Sequence, residues 1–143
     1  MENISVDLLS ETKGNIPYTK IVGVDMDGSP ILEFIMSGRG KINGDIEFTE
    51  MWTIKGKQKQ DDELQGEGLG LYIIKDGSRN ETVTVKSNTI SSITENGIKQ
   101  YIGANFYETS STGKFAFLKN LVGIFKAEVD ESGNYITRVW KWD

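Results

Sequence analysis

The chain has 143 residues, with 16 basic and 21 acidic residues and a formal net charge of −5. This length predicts a single domain over residues 1–143. Hydrophobic residues make up 37% and charged residues 26%, which excludes wholesale disorder and is typical of a globular protein. Because the basic residues are interspersed with acidic ones, neither nucleic acid nor an anionic membrane surface is an expected partner.

Cysteine and histidine are both absent. Their absence excludes disulfides, thiol nucleophiles, histidine bases and zinc sites built on these ligands. An acid or base must therefore be Asp, Glu, Lys or Tyr, and we expect neither a metal nor a cofactor. The sequence contains no long apolar segment, which predicts a protein without a transmembrane helix or secretory signal and so a cytoplasmic location.

Alternating or β-branched runs predict eight or nine strands and no long helix. In chain order the predicted strands cover residues 4–9, 18–24, 31–36, 42–55, 64–74, 82–94, 98–109, 121–129 and 135–142. Glycine-containing turn sequences follow several of these runs, as in Asp27-Gly28, Asp76-Gly77, Asn96-Gly97 and Ser132-Gly133. The spacing of Phe115, Leu118 and Leu121 also suits one helical turn that would close a barrel end.

Many strands joined by short turns form either a sandwich or a closed barrel, and closure alone removes exposed sheet edges. We therefore predict an all-β fold, a single closed antiparallel barrel of about eight strands. Gly66, Gly68 and Gly70 alternate with larger residues, which favours a bent strand over a phosphate-binding loop. Asp25, Asp27 and Ser29 resemble part of a calcium loop but lack its closing glutamate, which favours a hairpin turn.

Glu50 is the most informative residue of the sequence. In the alternation Ile46, Phe48, Glu50, Trp52, Ile54 it is the one polar member of an otherwise apolar strand face. A carboxyl group held among such side chains loses hydration, which raises its pKa and can prepare it for acid–base chemistry. Alternatively, a bulge turns Glu50 outward or a cation pairs with it; the candidate cations are Arg39, Lys55 and Lys99.

Three further carboxylates share a face with apolar residues, namely Glu67, Glu108 and Glu128. They lie near strand ends, where we expect an inward face to reach solvent at a barrel mouth. Tyrosine, tryptophan and phenylalanine are frequent in the same strands, and a barrel of eight strands can be packed solid or can hold one small ligand. The predicted ligand-binding residues are Glu50, Trp52, Tyr101, Phe106 and Tyr107. Alternation places Phe106 and Tyr107 on opposite faces.

Residues 109–142 carry a family resemblance. Their Thr112-Gly113, Leu118, Gly123 and Phe125 resemble the closing motif of small prokaryotic proteins without an assigned activity. The segment is more distantly similar to calycin-like barrels of the allene oxide cyclase type. This resemblance implies an eight-stranded antiparallel barrel with a small central cavity, often assembled as oligomers. The plant cyclases use a glutamate and a cysteine, and this chain has no cysteine, so cyclase activity is not implied.

Three functions are compatible with the sequence. The first is binding of a small apolar or amphipathic molecule inside the barrel, with Glu50 as its polar anchor. The second is a cofactor-independent isomerase, cyclase or lyase that uses Glu50 as acid or base and Tyr101 or Tyr107 as proton donor. The third is a solid barrel whose outward apolar residues form homo-oligomer contacts.

Overall fold

The computed structural model of the protein describes residues 4–59, 63–93 and 95–142. These residues form a closed antiparallel barrel in which each strand pairs with its neighbours in sequence and the last strand pairs with the first. The strands are β1 Ile4–Val24, β2 Pro30–Ile42, β3 Ile46–Gln58, β4 Leu64–Asp76, β5 Arg79–Ile93, β6 Lys99–Glu108, β7 Val122–Val129 and β8 Asn134–Trp142. The predicted all-β barrel of eight strands is confirmed.

Side chains alternate between the barrel interior and its outer surface. Along β5, Val83, Val85, Ser87, Thr89 and Ser91 are buried, and the residues between them are exposed or only partly buried. The same period of two, which follows from strand geometry, divides β3, β4 and β7 into an inner and an outer face. The inner face therefore carries both the apolar core and any polar group that the barrel encloses.

Two strand boundaries differ from the prediction. The predicted strands 4–9 and 18–24 belong to one continuous strand, β1, because irregular register shifts allow it to pair with β8 in its first part and with β2 from Ser10 onward. The predicted strand 42–55 is interrupted after Ile42 by a turn at Asn43 and Gly44, whose φ angles are 53° and 81°. Asn and Gly tolerate positive φ better than other residues do.

The loop between β6 and β7 closes one end of the barrel. It forms a single 3₁₀ turn, Ala116–Leu118, and Phe115 and Leu118 are only 2% and 0% exposed. These two side chains belong to the same buried cluster as Leu9 and Ile74. The helical turn predicted to plug a barrel end is thus confirmed, and we call this side the closed end.

The opposite end carries the hairpin between β1 and β2. There the Lys57 ammonium lies 2.7 Å from the Asp25 carboxylate and 2.6 Å from that of Asp27, which lowers the pKa of both carboxyl groups. This ion pair supports the hairpin interpretation of the Asp25 to Ser29 stretch; no metal-binding cluster of acidic residues occurs within the described ranges. No helix in the described part of the chain is long and apolar enough to span a membrane.

Candidate functional site

A cavity of about 50 Å³ lies inside the barrel. It extends from Glu50 along β3 past Trp52 to Ile54, away from the closed end. Most of its wall is apolar and includes Phe34, Met36, Ile54, Phe125, Ala127 and Val129. A smaller polar part of the wall comes from Glu50, Ser87, Thr89, Asn105 and Thr137.

Glu50 lies in the cavity wall and is only 4% exposed. The Tyr135 hydroxyl donates a hydrogen bond of 2.8 Å to Glu50 Oε2. Burial raises the Glu50 pKa from 4.5 to about 7, because the loss of hydration outweighs the polar side chains of Tyr135, Thr12 and Trp52, which act to lower it.

No cation compensates this carboxyl group in the described residues. All six ion pairs found there join other residues, and the side chains of Arg39 and Lys55 are exposed. The alternative in which Glu50 forms a buried ion pair is therefore wrong, as is the alternative in which a bulge turns it outward. Glu50 keeps its inward position with the neutral Tyr135 hydroxyl as its hydrogen-bond partner.

Two glycines allow Tyr135 to reach Glu50 from a distant strand. Tyr135 of β8 is paired with Gly14 of β1, Gly14 with Gly38 of β2, and Gly38 with Glu50 of β3. A Cβ atom at Gly14 would lie 2.7 Å from the Tyr135 ring, and one at Gly38 would collide with the Tyr135 hydroxyl and lie 2.7 Å from the Lys13 carbonyl oxygen. The Tyr135 side chain thus occupies the space that two side chains would otherwise fill.

Further side chains with polar groups extend from Glu50 through β4 to β6. Tyr72 is the cross-strand neighbour of Glu50 on β4, and its ring lies 5.8 Å from that of Tyr107 in an edge contact. Asn105 Nδ2 donates a hydrogen bond of 3.3 Å to the Tyr107 hydroxyl. We call this set, Tyr135, Glu50, Tyr72, Tyr107 and Asn105, the polar chain.

Both inner tyrosines of the polar chain are neutral at physiological pH. Burial raises the pKa of Tyr107 to about 12, and burial together with the neighbouring Tyr107 and Glu50 raises that of Tyr72 well above 10. Asn105 is 3% exposed, and its Oδ1 atom has no hydrogen-bond partner among the described residues. Because buried polar atoms are nearly always satisfied, this oxygen is an exception in the cavity wall.

Inward glycines also make room for the aromatic wall of the cavity. Trp52 packs against Gly70 on the neighbouring strand, where an added Cβ would lie 2.6 Å from the indole. Phe125 covers Gly103 in the same way, at 2.8 Å. Two of the glycines expected to mark a bent strand, Gly68 and Gly70, thus make room for the Trp52 indole.

The structure separates the predicted ligand-binding residues into three groups. Glu50, Trp52 and Tyr101 line the cavity. Tyr107 is buried in the polar chain beside it. Phe106 lies on the outer face and is 44% exposed, because alternation along β6 sends it outward when Asn105 and Tyr107 point inward; its assignment to the cavity wall is corrected.

The expected position of three further carboxylates also needs correction. Glu67, Glu108 and Glu128 are exposed, as expected, but they lie on the outer face of the barrel and not at an inward-facing mouth. The partner of Glu50, Tyr135, was not predicted, although the inward glycines Gly14 and Gly38 are the sequence signal for a large side chain crossing those strands.

Comparisons with known proteins agree with the fold. The structure is similar to the crystal structure of a protein with unknown function from Clostridium acetobutylicum, with a TM-score of 0.73 and 12% sequence identity over 100% of this chain and 99% of that one. It is also similar to a conserved protein of unknown function from Rhodopseudomonas palustris, with a TM-score of 0.79 and 10% identity over 99% of both chains. No protein-family model and no curated protein matches the sequence. At these identities the likeness establishes the fold alone, an eight-stranded barrel shared with proteins of unknown function.

Proposed function

We propose that the barrel binds a small, largely apolar molecule in its cavity and holds the polar group of that molecule through Glu50 and Asn105. One observation carries this proposal: the Glu50 carboxyl group lies, 4% exposed, in the wall of an apolar cavity. A buried carboxylate without a compensating cation destabilises a fold. A ligand that donates a hydrogen bond to this group explains why such a group is present.

The dimensions of the cavity define the size of the ligand. Its volume of about 50 Å³ exceeds the roughly 10–15 Å³ that a cavity needs to hold one water molecule. A molecule of a few non-hydrogen atoms fits without rearrangement. A ligand larger than this cavity requires movement of the half-buried side chains Phe34, Ile54 and Tyr101. These three side chains lie toward the barrel end opposite the closed end.

The polar groups of the wall define the chemistry of the ligand. At neutral pH Glu50 is divided between its carboxylate and its acid form, and the carboxylate accepts hydrogen bonds only. Asn105 Oδ1 is a second acceptor, and it has no hydrogen-bond partner within the described part of the chain. Both atoms favour a ligand with a hydroxyl or N–H donor attached to an apolar body.

A matched pair of five-membered rings tests this assignment. Pyrrole and furan have nearly the same size, but only pyrrole carries an N–H donor. We expect pyrrole to bind roughly tenfold more tightly than furan, because a hydrogen bond to a charged acceptor contributes about 1.5–3 kcal/mol. Binding is measured from amide chemical shifts of cavity-lining residues in ¹H–¹⁵N NMR titrations at a pH above 7.

Two variants make the titration specific. Glu50→Met removes the acceptor at similar size and should abolish the preference for pyrrole, whereas Glu67→Met, on the outer face, should leave it unchanged. Ala127→Leu places a larger side chain in the cavity and should weaken binding of both rings. Absence of shifts at cavity residues for both rings would refute the proposed function, and equal affinities would refute the role of Glu50 as an anchor.

We also propose that this barrel resembles allene oxide cyclase-type barrels in its architecture. An eight-stranded antiparallel barrel with an enclosed glutamate is in accord with this resemblance. Because the chain has no cysteine, the likeness concerns the architecture and the position of a polar group in an apolar interior, and it includes no substrate.

A further inference from the structure

We propose that Glu50 is a proton-transferring base that acts on a small carbonyl compound held in the cavity, catalysing its enolisation or the 1,3-shift of a double bond toward the carbonyl group. This inference rests on the proposed binding function and extends it from binding to chemistry. It requires a base in contact with the bound molecule, a fixed orientation of that base, and a neutral donor that stabilises a developing enolate. Each of these can be located among the residues of the cavity wall.

The first requirement is a carboxylate oxygen that is free to take a proton. An ionised carboxylate has about four lone-pair sites, and among the described residues the Tyr135 hydroxyl is the one donor within hydrogen-bond distance of Glu50. At least one acceptor site therefore stays open in a residue that lines the cavity. The surrounding wall is apolar, so few other groups compete with a substrate for this site.

The second requirement is orientation. Tyr135 holds Oε2 at 2.8 Å, with its ring packed over Gly14 and its hydroxyl over Gly38. Tyr135 is thus a positioning residue for Glu50. Hydrogen bonds to a catalytic carboxylate that fix its geometry reduce the reorganisation needed in the transition state.

The third requirement is stabilisation of the enolate oxygen. Ser87 lines the same cavity and carries a neutral hydroxyl donor. Such donors stabilise negative charge on oxygen in a site from which water is largely excluded. The polar wall thus combines a base on β3 with a hydroxyl donor on β5.

The reaction balances without a cofactor. The Glu50 carboxylate takes a proton from the carbon next to the carbonyl group, the C–H electron pair forms a C=C bond, and the carbonyl π electrons move to oxygen. The protonated Glu50 then returns a proton to the same carbon, which is enolisation with exchange, or to the carbon two atoms further along an unsaturated chain, which is isomerisation. The Glu50 pKa of about 7 supports both half-reactions, since base and conjugate acid are then both present near neutral pH.

Deuterium exchange into acetone tests the first half-reaction with a probe of four non-hydrogen atoms. The full chain is incubated with acetone in D₂O near neutral pD, and loss of the methyl signal is followed by ¹H NMR. We expect exchange at least tenfold faster than with an equal concentration of free acetate. Glu50→Gln should reduce the rate to the buffer background, whereas Glu67→Gln should not change it.

Tyr135→Phe separates positioning from a merely structural role. The Tyr135 hydrogen bond lowers the Glu50 pKa, so its loss should move the midpoint of the pH–rate profile upward while exchange remains measurable. If Glu50→Gln does not fold, the profile of the unmodified chain is the second measurement, and it should show one ionisation near neutral pH. A rate independent of pH across that range would overturn the proposal.

The same NMR samples distinguish failure of catalysis from failure of binding. If acetone shifts cavity amides but exchanges no faster than with acetate, the proton-transfer proposal is overturned and the binding function stands. If neither acetone nor butanone shifts these amides, a carbonyl compound has no access to the base, and the proposal is overturned as well. The binding function itself fails only when pyrrole and furan also leave the cavity amides unchanged.

Discussion

Replacing Glu50 by glutamine should change how the stability of the barrel depends on pH. The folded-state pKa of Glu50 is raised to about 7 from its ordinary value of 4.5, which we take as the value in the unfolded chain. Below 4.5 the carboxyl group is protonated in both states, so the folded state bears no ionisation penalty. As the pH rises from 4.5 to about 7, the unfolded state ionises first and the folded state loses stability. Above 7 the loss is complete and constant.

The magnitude follows from the size of this pKa difference. The step from 4.5 to about 7, at about 1.36 kcal/mol for each pKa unit, amounts to about 3 kcal/mol at alkaline pH. Between about pH 5 and about pH 8 the expected change is about 2.5 kcal/mol, because part of the effect lies below pH 5. Glutamine has no ionisation in this range. Relative to the unmodified chain, Glu50→Gln should therefore gain about 2.5 kcal/mol of unfolding free energy over that interval.

Urea denaturation at a series of pH values measures this gain. The free energy of unfolding of each variant is obtained at each pH, and the difference between variants is plotted, so that other titrating groups cancel. Glu67→Gln is the matched control, because Glu67 lies exposed on the outer face, and its difference curve should be flat. A flat curve for Glu50→Gln, or one that falls with rising pH, would refute the assignment of Glu50 as a desolvated carboxyl group.

Three further substitutions test the packing and hydrogen bonding around this site. Tyr135→Phe removes a donor that lowers the Glu50 pKa, so carbon-detected NMR titration of Glu50 should give a pKa above that of the unmodified chain; an unchanged or lower value would contradict the hydrogen bond. Gly38→Ala should lose about 1–3 kcal/mol of stability in urea denaturation, because its Cβ collides with the Tyr135 hydroxyl, whereas Gly23→Ala, whose Cβ meets no atom closer than 3.7 Å, should stay within about 0.5 kcal/mol. Leu118→Ala, at the closed end, should lose about 2–5 kcal/mol by the same measurement, and a smaller loss would show that the 3₁₀ turn does not contribute to the core.

The architecture follows from local information that the sequence contains. Period-two alternation and glycine-containing turns identify most strands, and closure follows from the need to remove exposed edges. The turn at Asn43 and Gly44 is harder to predict, because the flanking residues continue as strand on both sides and only the positive φ angles reveal the break. The continuity of β1 is harder still, since its register shifts depend on which partner strand lies beside each segment.

The candidate site depends on how distant strands are aligned with one another. The alternation of side chains along a single strand does not reveal that alignment. The pattern around Glu50 predicts its inward direction, and the structure agrees. Its hydrogen bond to Tyr135, 85 residues away, requires the registers of β8, β1, β2 and β3 to add up correctly across three strand pairs. In β6, alternation separates Phe106 from Tyr107 but cannot say which faces inward; the burial of Asn105 and Tyr107 decides it.

The energetic cost of Glu50 is the strongest argument that the interior serves a function. A small domain has only about 5–15 kcal/mol of net stability, and a penalty of about 3 kcal/mol at neutral to alkaline pH is a large part of it. A glutamine at position 50 would keep an acceptor for Tyr135 without this penalty, and packing alone therefore does not explain a carboxyl group there. The space for Tyr135 comes from two inward glycines, and Asn105 Oδ1 in the same cavity wall has no partner among residues 4–59, 63–93 and 95–142. These features favour a barrel whose interior is arranged around a bound molecule over one that is filled only for stability.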